Sequence, residues 1–304
     1  MTTMRTWIDA CRPKTLVAAV VPVAVGTAVF GKVGGSLHVA AIYPVVLSCL
    51  GFALLAQIVS NFANDLGDSL RGADTPERVG PRRSVANGLI SVRAMGFAVA
   101  AAVLAAFLAG LPVGLSDPVL FAAGILALVL ALGYTLGPWP LAYLGLGDVF
   151  VVGCFGVQAT ALTVYALSVS TSTAMPWSAA LLAGLGLGLL ADNILLANNA
   201  RDLETDQAAG KRTTVVRFGR GFACRLHAFN CLVGLGALTA VFGWSPMLLL
   251  PLAIRQHRAF RRARQPAEFV PFLGQSAILL LLAGILCVTA TCLGRAPAGT
   301  LWTR

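Results

Sequence analysis

Nine apolar stretches, most of them near the roughly 20 residues a helix needs to cross a bilayer, take up most of this chain of 304 residues. They lie near residues 15–31, 40–63, 94–115, 119–137, 146–167, 177–200, 222–242, 244–256 and 271–293, the eighth being the weakest. A hydrocarbon interior offers no water to backbone N–H and C=O groups, so a chain must satisfy them internally. Long apolar runs without alternation predict helices. The expected fold is all-α: a polytopic membrane protein of about nine transmembrane helices, forming a single domain over 1–304. Composition agrees, with 58% hydrophobic and 11% charged residues against about 25% charged in a soluble domain. The first stretch reads as a span and not a cleaved signal, because Gly26-Thr27-Ala28 leads on towards a second span with no separate mature domain after it.

The net charge of +10 raises the question of nucleic acid, and its distribution answers it. Nineteen of the 22 Lys and Arg residues precede span 1 or lie in or beside the links between spans 2 and 3, 6 and 7, and 8 and 9. Lys32, Arg295 and Arg304 are left for the other side. The positive-inside rule then predicts a cytoplasmic N-terminus and an external C-terminus, with no nucleic-acid partner. Topology alone accounts for Arg258 to Arg264. The seven cysteines are scattered through mostly apolar segments, and His38, His227 and His257 show no mutual spacing, so zinc is not indicated.

Two polar stretches interrupt the apolar pattern, at the ends of spans 2 and 6. The first contains Asn64, Asp65, Asp68 and Asp74, followed by Arg78, Arg82 and Arg83; the second contains Asn198, Arg201, Asp202, Asp206 and Lys211. Asn64 and Asp68 are four apart, and Asn198, Asp202 and Asp206 form an i, i+4, i+8 series, so each set projects from one helical face. Like charges so placed beside a low-dielectric slab repel unless cations hold them ionised. Hard oxygen donors that leave coordination positions for phosphate suit Mg²⁺. The expected metal set is Asn64, Asp65, Asp68, Asp74, Asn198, Asp202 and Asp206. Helices 1–4 and 5–8 then read as parallel repeats that bring the two clusters face to face.

Other residues carry two readings each. Lys14 stands at the mouth of span 1, either near a bound anion or snorkelling to lipid phosphate. The polar loop 75–88 has the length of a lid, and Arg78 and Arg83 fit an anion clamp as well as they fit topology. Tyr134 belongs either to an interfacial aromatic belt or to a pocket wall offering its π-face to a cation. Asp148 fits a helix cap. Asp192, inside span 6, is a functional candidate by its depth, yet about 15 Å along a helix from Asp202 and too far to share its metals.

The two polar stretches resemble the paired aspartate-rich motifs of UbiA-type membrane prenyltransferases. Arg12-Pro13-Lys14-Thr15-Leu16, Arg78-Val79-Gly80-Pro81-Arg82-Arg83, Tyr134-Thr135-Leu136-Gly137-Pro138 and Gly145-Leu146-Gly147-Asp148 are similar to the 1,4-dihydroxy-2-naphthoate polyprenyltransferases of menaquinone synthesis. The resemblance implies nine helices and two Mg²⁺ ions bridging the diphosphate of a polyprenyl donor, one held by Asn64, Asp68 and Asp74, the other by Asn198, Asp202 and Asp206. It implies that Lys14, Arg78, Arg83, Arg201 and Lys211 bind departing pyrophosphate, with Asp148 among the substrate-binding residues, and that Tyr134 shields the allylic cation. Dihydroxynaphthoate is the implied acceptor, and the isoprenoid tail would lie among the helices, open to membrane lipid. The second stretch departs from the family pattern in Asp192-Asn193. Hydroxybenzoate or homogentisate as acceptor, and more distantly a cation or organic-anion transporter, are the alternatives.

Overall fold

A computed structural model describes residues 3–34, 39–73, 79–80 and 83–293. A short helix α1 (Met4–Ala10) and a 3₁₀ turn at Pro13–Thr15 lead into α2 (Val17–Lys32), the two parts meeting at a bend of 48°. Long helices α3 (Val39–Leu70) and α4 (Val92–Gly114) follow, then α5 (Pro118–Gly133), started by the Asp117 carboxylate on the amides of Val119 and Leu120. After the short α6 (Leu141–Leu144), α7 (Gly147–Phe150) continues through a π-helical stretch, Val151–Gln158, into α8 (Ala159–Thr171). The remainder is α9 (Trp177–Arg201), α10 (Leu203–Ala208), α11 (Thr214–Phe242), a 3₁₀ turn at Ser245–Leu249, α12 (Leu250–Arg262) and α13 (Pro266–Leu293).

All nine expected stretches are helical over most of their length. Among the described residues, six helices are long and apolar enough to cross a membrane, and a seventh arises if the bent α1–α2 pair counts as one. At 16 residues α5 is apolar but short. The eighth stretch departs furthest. Pro246 opens a 3₁₀ turn, and the 13-residue α12 that follows exposes Arg255, Arg258, Arg261 and Arg262 beside Leu252 and Ile254. Such a helix is amphipathic and suited to an interface.

The central element is α9, which packs against α11, α13, α2, α8 and the π-helical stretch. Without a hydrophobic driving force between helices in lipid, close packing depends on small side chains, and α9 supplies Gly184, Gly186 and Gly188. A Cβ on Gly184 would stand 2.7 Å from Val157 Cα, and one on Gly188 2.6 Å from the Val152 carbonyl oxygen. On the opposite side, a Cβ on Gly186 would come within 2.8 Å of the Gly234 carbonyl oxygen of α11. The spacing that admits these contacts also brings the polar residues of α9 against α7 and α11.

Gly188→Val should therefore cost about 1–3 kcal/mol through overpacking. Thermal unfolding in detergent reads this directly, and an unchanged midpoint would remove the close-packing account of α9.

Candidate active site

The bend between α1 and α2 is built by α3. Arg12 takes a left-handed conformation, φ 50°, and two amide side chains satisfy the interrupted backbone around it. Asn61 Nδ2 donates to the Cys11 carbonyl at 2.9 Å and to Thr15 Oγ1 at 3.1 Å, while Gln57 Nε2 donates to Thr15 Oγ1 and Asn61 Oδ1, both at 3.3 Å. Gln57 and Asn61 thus fix the entry to α2, and Lys14 is left exposed without a polar partner among the described residues.

The two polar stretches meet at Lys211. Its ammonium lies 3.1 Å from Asp68 Oδ2 on α3 and 3.4 Å from Asp206 Oδ1 on α10. Asp68 is 1% exposed; its other oxygen accepts the Tyr143 hydroxyl at 3.0 Å, and Arg83 stands 3.6 Å away. The Tyr143 ring has cations nearby, with the Arg71 guanidinium 5.3 Å and the Lys211 ammonium 5.1 Å from its centroid. Arg71 in turn donates to the carbonyls of Thr135 and Gly137 at 2.6 Å each, fixing the chain that carries Tyr134. Gly145, at φ 77°, lets the Arg212 carbonyl approach where a side chain would collide, and the Arg212 amide donates to the Tyr143 carbonyl at 3.1 Å.

Electrostatics favour a cation here. Burial pushes the Asp206 carboxyl up to about 6, against the pull of Lys211, with the charges of Asp202 and Asp68 raising it further. Burial and the adjacent Asp68 raise the Tyr143 phenol. Asp202 is paired with its neighbour: Arg201 Nε and Nη2 each donate to its carboxylate at 2.6 Å. That guanidinium packs against Gly80, where a Cβ would meet Arg201 Cζ at 3.1 Å. Asp65 is turned to the polar loop and accepts the amides of Ser84 and Val85 at 3.0 and 3.4 Å.

Among the described residues no three His, Cys, Asp or Glu side chains converge closely enough to hold a metal by themselves. Asp74 and Arg78 lie outside the described residues. The donors present nevertheless fit a cation that also binds phosphate. Asn64 Oδ1 is buried without a hydrogen-bond partner, and Asp68 and Asp206 face one positive charge together. Asn198 is half-buried near the end of α9, four residues before Asp202.

Tyr134 lies where the charges of Asp148, Asp192, Asp68 and Asp206 all bear on it. Its ring packs on Phe150 at 5.2 Å, and Phe150 lines an apolar cavity of about 160 Å³ whose walls include Ala18, Phe52, Leu128, Phe155 and Thr163. Tyr134 thus stands within the field of the acidic residues and against the ring that lines the cavity. Behind it, Asp148 and Asp192 lie close enough for their charges to interact, and each keeps one buried oxygen without a hydrogen-bond partner. Thr214 donates to Asp148 Oδ2 at 2.8 Å and Asn230 to Asp192 Oδ2 at 2.9 Å. Asn230 also reaches Asn193 Oδ1 at 3.2 Å.

A polytopic helical bundle with a cation-seeking mouth above an apolar cavity defines a membrane enzyme or carrier for amphiphilic anions. Comparison with known proteins decides between them: residues 19–279 match the UbiA prenyltransferase family, and the chain belongs to that family. It is 36% identical over 297 residues to the 1,4-dihydroxy-2-naphthoate octaprenyltransferase of Escherichia coli, covering 93% of each chain. The enzyme of that name from Haemophilus influenzae is 35% identical over 93% of this chain and 94% of its own. Among solved structures, a UbiA homologue from Archaeoglobus fulgidus bound to DMAPP and Mg²⁺ shares the fold with a TM-score of 0.58. It is 20% identical and is covered to 99%, against 93% of this chain.

Two outcomes follow from the geometry. A cation must displace the proton on Asp206, so divalent-metal affinity should fall as the pH drops through about 6 and level off above it; a Mn²⁺ titration that is flat across this range would contradict the site. Tyr143→Phe removes one donor from buried Asp68 and should weaken prenyl diphosphate binding by about five- to tenfold, read by calorimetry with a non-hydrolysable analogue.

Proposed function

We propose that this protein transfers a polyprenyl group from polyprenyl diphosphate to 1,4-dihydroxy-2-naphthoate, releasing pyrophosphate and CO₂ and giving demethylmenaquinol. The observation that carries the reaction type is the meeting of Asp68, Asp206 and Lys211 from the two polar stretches. The acceptor rests on the names of the relatives at 35–36% identity. Nineteen of 22 basic residues on one side support a cytoplasmic mouth and N-terminus in the cytoplasmic membrane, with the C-terminus outside.

Mg²⁺, in our reading two ions, supplies Lewis-acid neutralisation of the diphosphate oxygens when bound. Asn64, Asp68, Asp74, Asn198 and Asp206 are the residues we assign to hold it. Asp65 and Asp202 act through their partners, Asp65 by anchoring the polar loop at 84–85 and Asp202 by orienting Arg201. Lys211, Arg83 and Arg201 carry the charge of the departing pyrophosphate, and Arg78 and the exposed Lys14 are assigned to the same anion. The allylic C–O bond breaks with its electron pair leaving on the pyrophosphate. Tyr134 and Phe150 keep water from the allylic carbon and offer it π-electrons, while the tail occupies the cavity lined by Phe52 and Phe155. A ring carbon of the acceptor forms the new C–C bond. Loss of the carboxylate as CO₂ leaves its bonding pair in the ring and restores aromaticity.

Asp68→Asn and Asp206→Asn should each lower turnover by about two orders of magnitude or more with the fold intact. Lys14→Ala should mainly raise KM for an anionic substrate. The assay is mass spectrometry of products from purified protein in lipid, with polyprenyl diphosphate, Mg²⁺ and either dihydroxynaphthoate or hydroxybenzoate. A decarboxylated prenyl-naphthoquinol supports the reading; prenylation of hydroxybenzoate alone would overturn the acceptor, and no prenylation would overturn the activity.

A further inference from the structure

Topology explains how many arginines gather in the first half of α11 and at the end of α12, but not why they converge. α11 breaks at Gly219 (φ 76°), and immediately beyond it a cleft of about 560 Å³ is lined by Arg220, Arg225, Arg261, Arg262 and Arg264 around Cys224. The charges of Arg264, Arg261 and Arg225 all reach the Cys224 sulfur. Only Arg220 is committed elsewhere: it forms a two-pronged pair with Glu204 at 2.8 and 2.9 Å, donates to the Ala200 carbonyl at 3.1 Å and lies over the Phe269 ring. Arg225, Arg261, Arg262 and Arg264 are exposed and make no ion pair among the described residues. Glu268, the nearby acid, is held by the backbone amides of Arg264 and Gln265 at 2.6 and 3.3 Å. Four unpaired guanidinium groups on one cleft repel one another, and planar forks of this kind match phosphate.

The surroundings say which phosphate. Arg225 shares a face of α11 with Phe222, Phe229 and Leu232 at helical spacing, and the last two are 54% and 59% exposed. Ile254 of α12 is likewise exposed one turn before Arg258. The cleft therefore sits where an apolar flank gives way to a basic rim, the profile of a bilayer interface. A soluble anion would use the arginines and leave the flank idle. We propose that this cleft is a binding site for an anionic phospholipid, its phosphodiester held by Arg225, Arg261, Arg262 and Arg264 and its acyl chains lying along Phe229 and Leu232. Through Arg220 and Glu204 the bound lipid braces α10, which carries Asp206. The site is separate from the prenyl diphosphate mouth and does not depend on the identity of the aromatic acceptor.

The test is native mass spectrometry of the full chain released from mixed vesicles of phosphatidylglycerol and phosphatidylcholine. The wild type should retain phosphatidylglycerol preferentially. Replacing Arg225, Arg261 and Arg264 together by Gln should reduce that preference by about tenfold or more, whereas Gln at Arg93, Arg255 and Arg258, an equal loss of charge outside the cleft, should leave it unchanged. Arg225→Gln alone, at an exposed and unpaired position, keeps the comparison available if the triple variant does not fold, and should give part of the same loss. Equal losses in the cleft and control variants would reduce the effect to general surface charge and overturn the proposal. Displacement of the retained lipid by millimolar inorganic phosphate would make this a soluble-anion site and overturn it equally.

Discussion

A single ammonium group between two buried carboxylates ties the two halves of this protein together. Lys211 lies between Asp68 and Asp206, and 143 residues separate Lys211 from Asp68 in sequence. Desolvating such charges costs several kcal/mol per ion, recovered only with good geometry and further hydrogen bonds. The further bonds are present. Tyr143 donates to Asp68, Arg71 stands near the Tyr143 ring while holding the 135–137 carbonyls, and the Arg212 amide holds Tyr143 from the other side. The ends of α3, α6 and α10 are therefore placed by a shared ionic requirement more than by apolar packing, which is weak as a source of specificity among helices in lipid.

That arrangement explains why the enzyme is a membrane bundle at all. The donor it is proposed to use has a polyanionic head and a long hydrocarbon tail, and the structure offers an ionic cluster and an apolar cavity lined by Phe150, against which Tyr134 packs. The glycines of α9 draw the π-helical stretch and α11 close, and Asp148 and Asp192 come together behind Tyr134, one oxygen of each engaged by Thr214 and Asn230 respectively and the other without a hydrogen-bond partner. An intramembrane carboxyl that stands isolated in the sequence thus has a second carboxyl beside it.

The apolar runs and the paired acidic motifs were legible in the sequence because both depend on residue type at short range: hydropathy over one span, and carboxamides and carboxylates at helical spacing. What was not legible depends on long-range contact. Tyr143 carries no sequence signal separating it from the other aromatics of its segment, and only the fold brings it to Asp68. Asp65 and Asp68 look alike in the first motif, yet Asp65 faces the amides of Ser84 and Val85 while Asp68 faces Lys211. The eighth apolar run gives no sign in its hydropathy of the 3₁₀ turn at Ser245–Leu249 that divides it, nor of α12 running on into the arginines as a short amphipathic helix.

The central claim is that Asp68 and Asp206 serve one site and not two. The most direct measurement is a double-mutant cycle: calorimetric binding of a non-reactive polyprenyl diphosphate analogue with Mg²⁺ to the wild type, Asp68→Asn, Asp206→Asn and the double variant. If the two carboxylates act on one cation–diphosphate cluster, the double variant should lose little more than either single one, a coupling of about 1–3 kcal/mol. Losses that simply add would contradict the account, leaving two independent polar clusters in place of one active site.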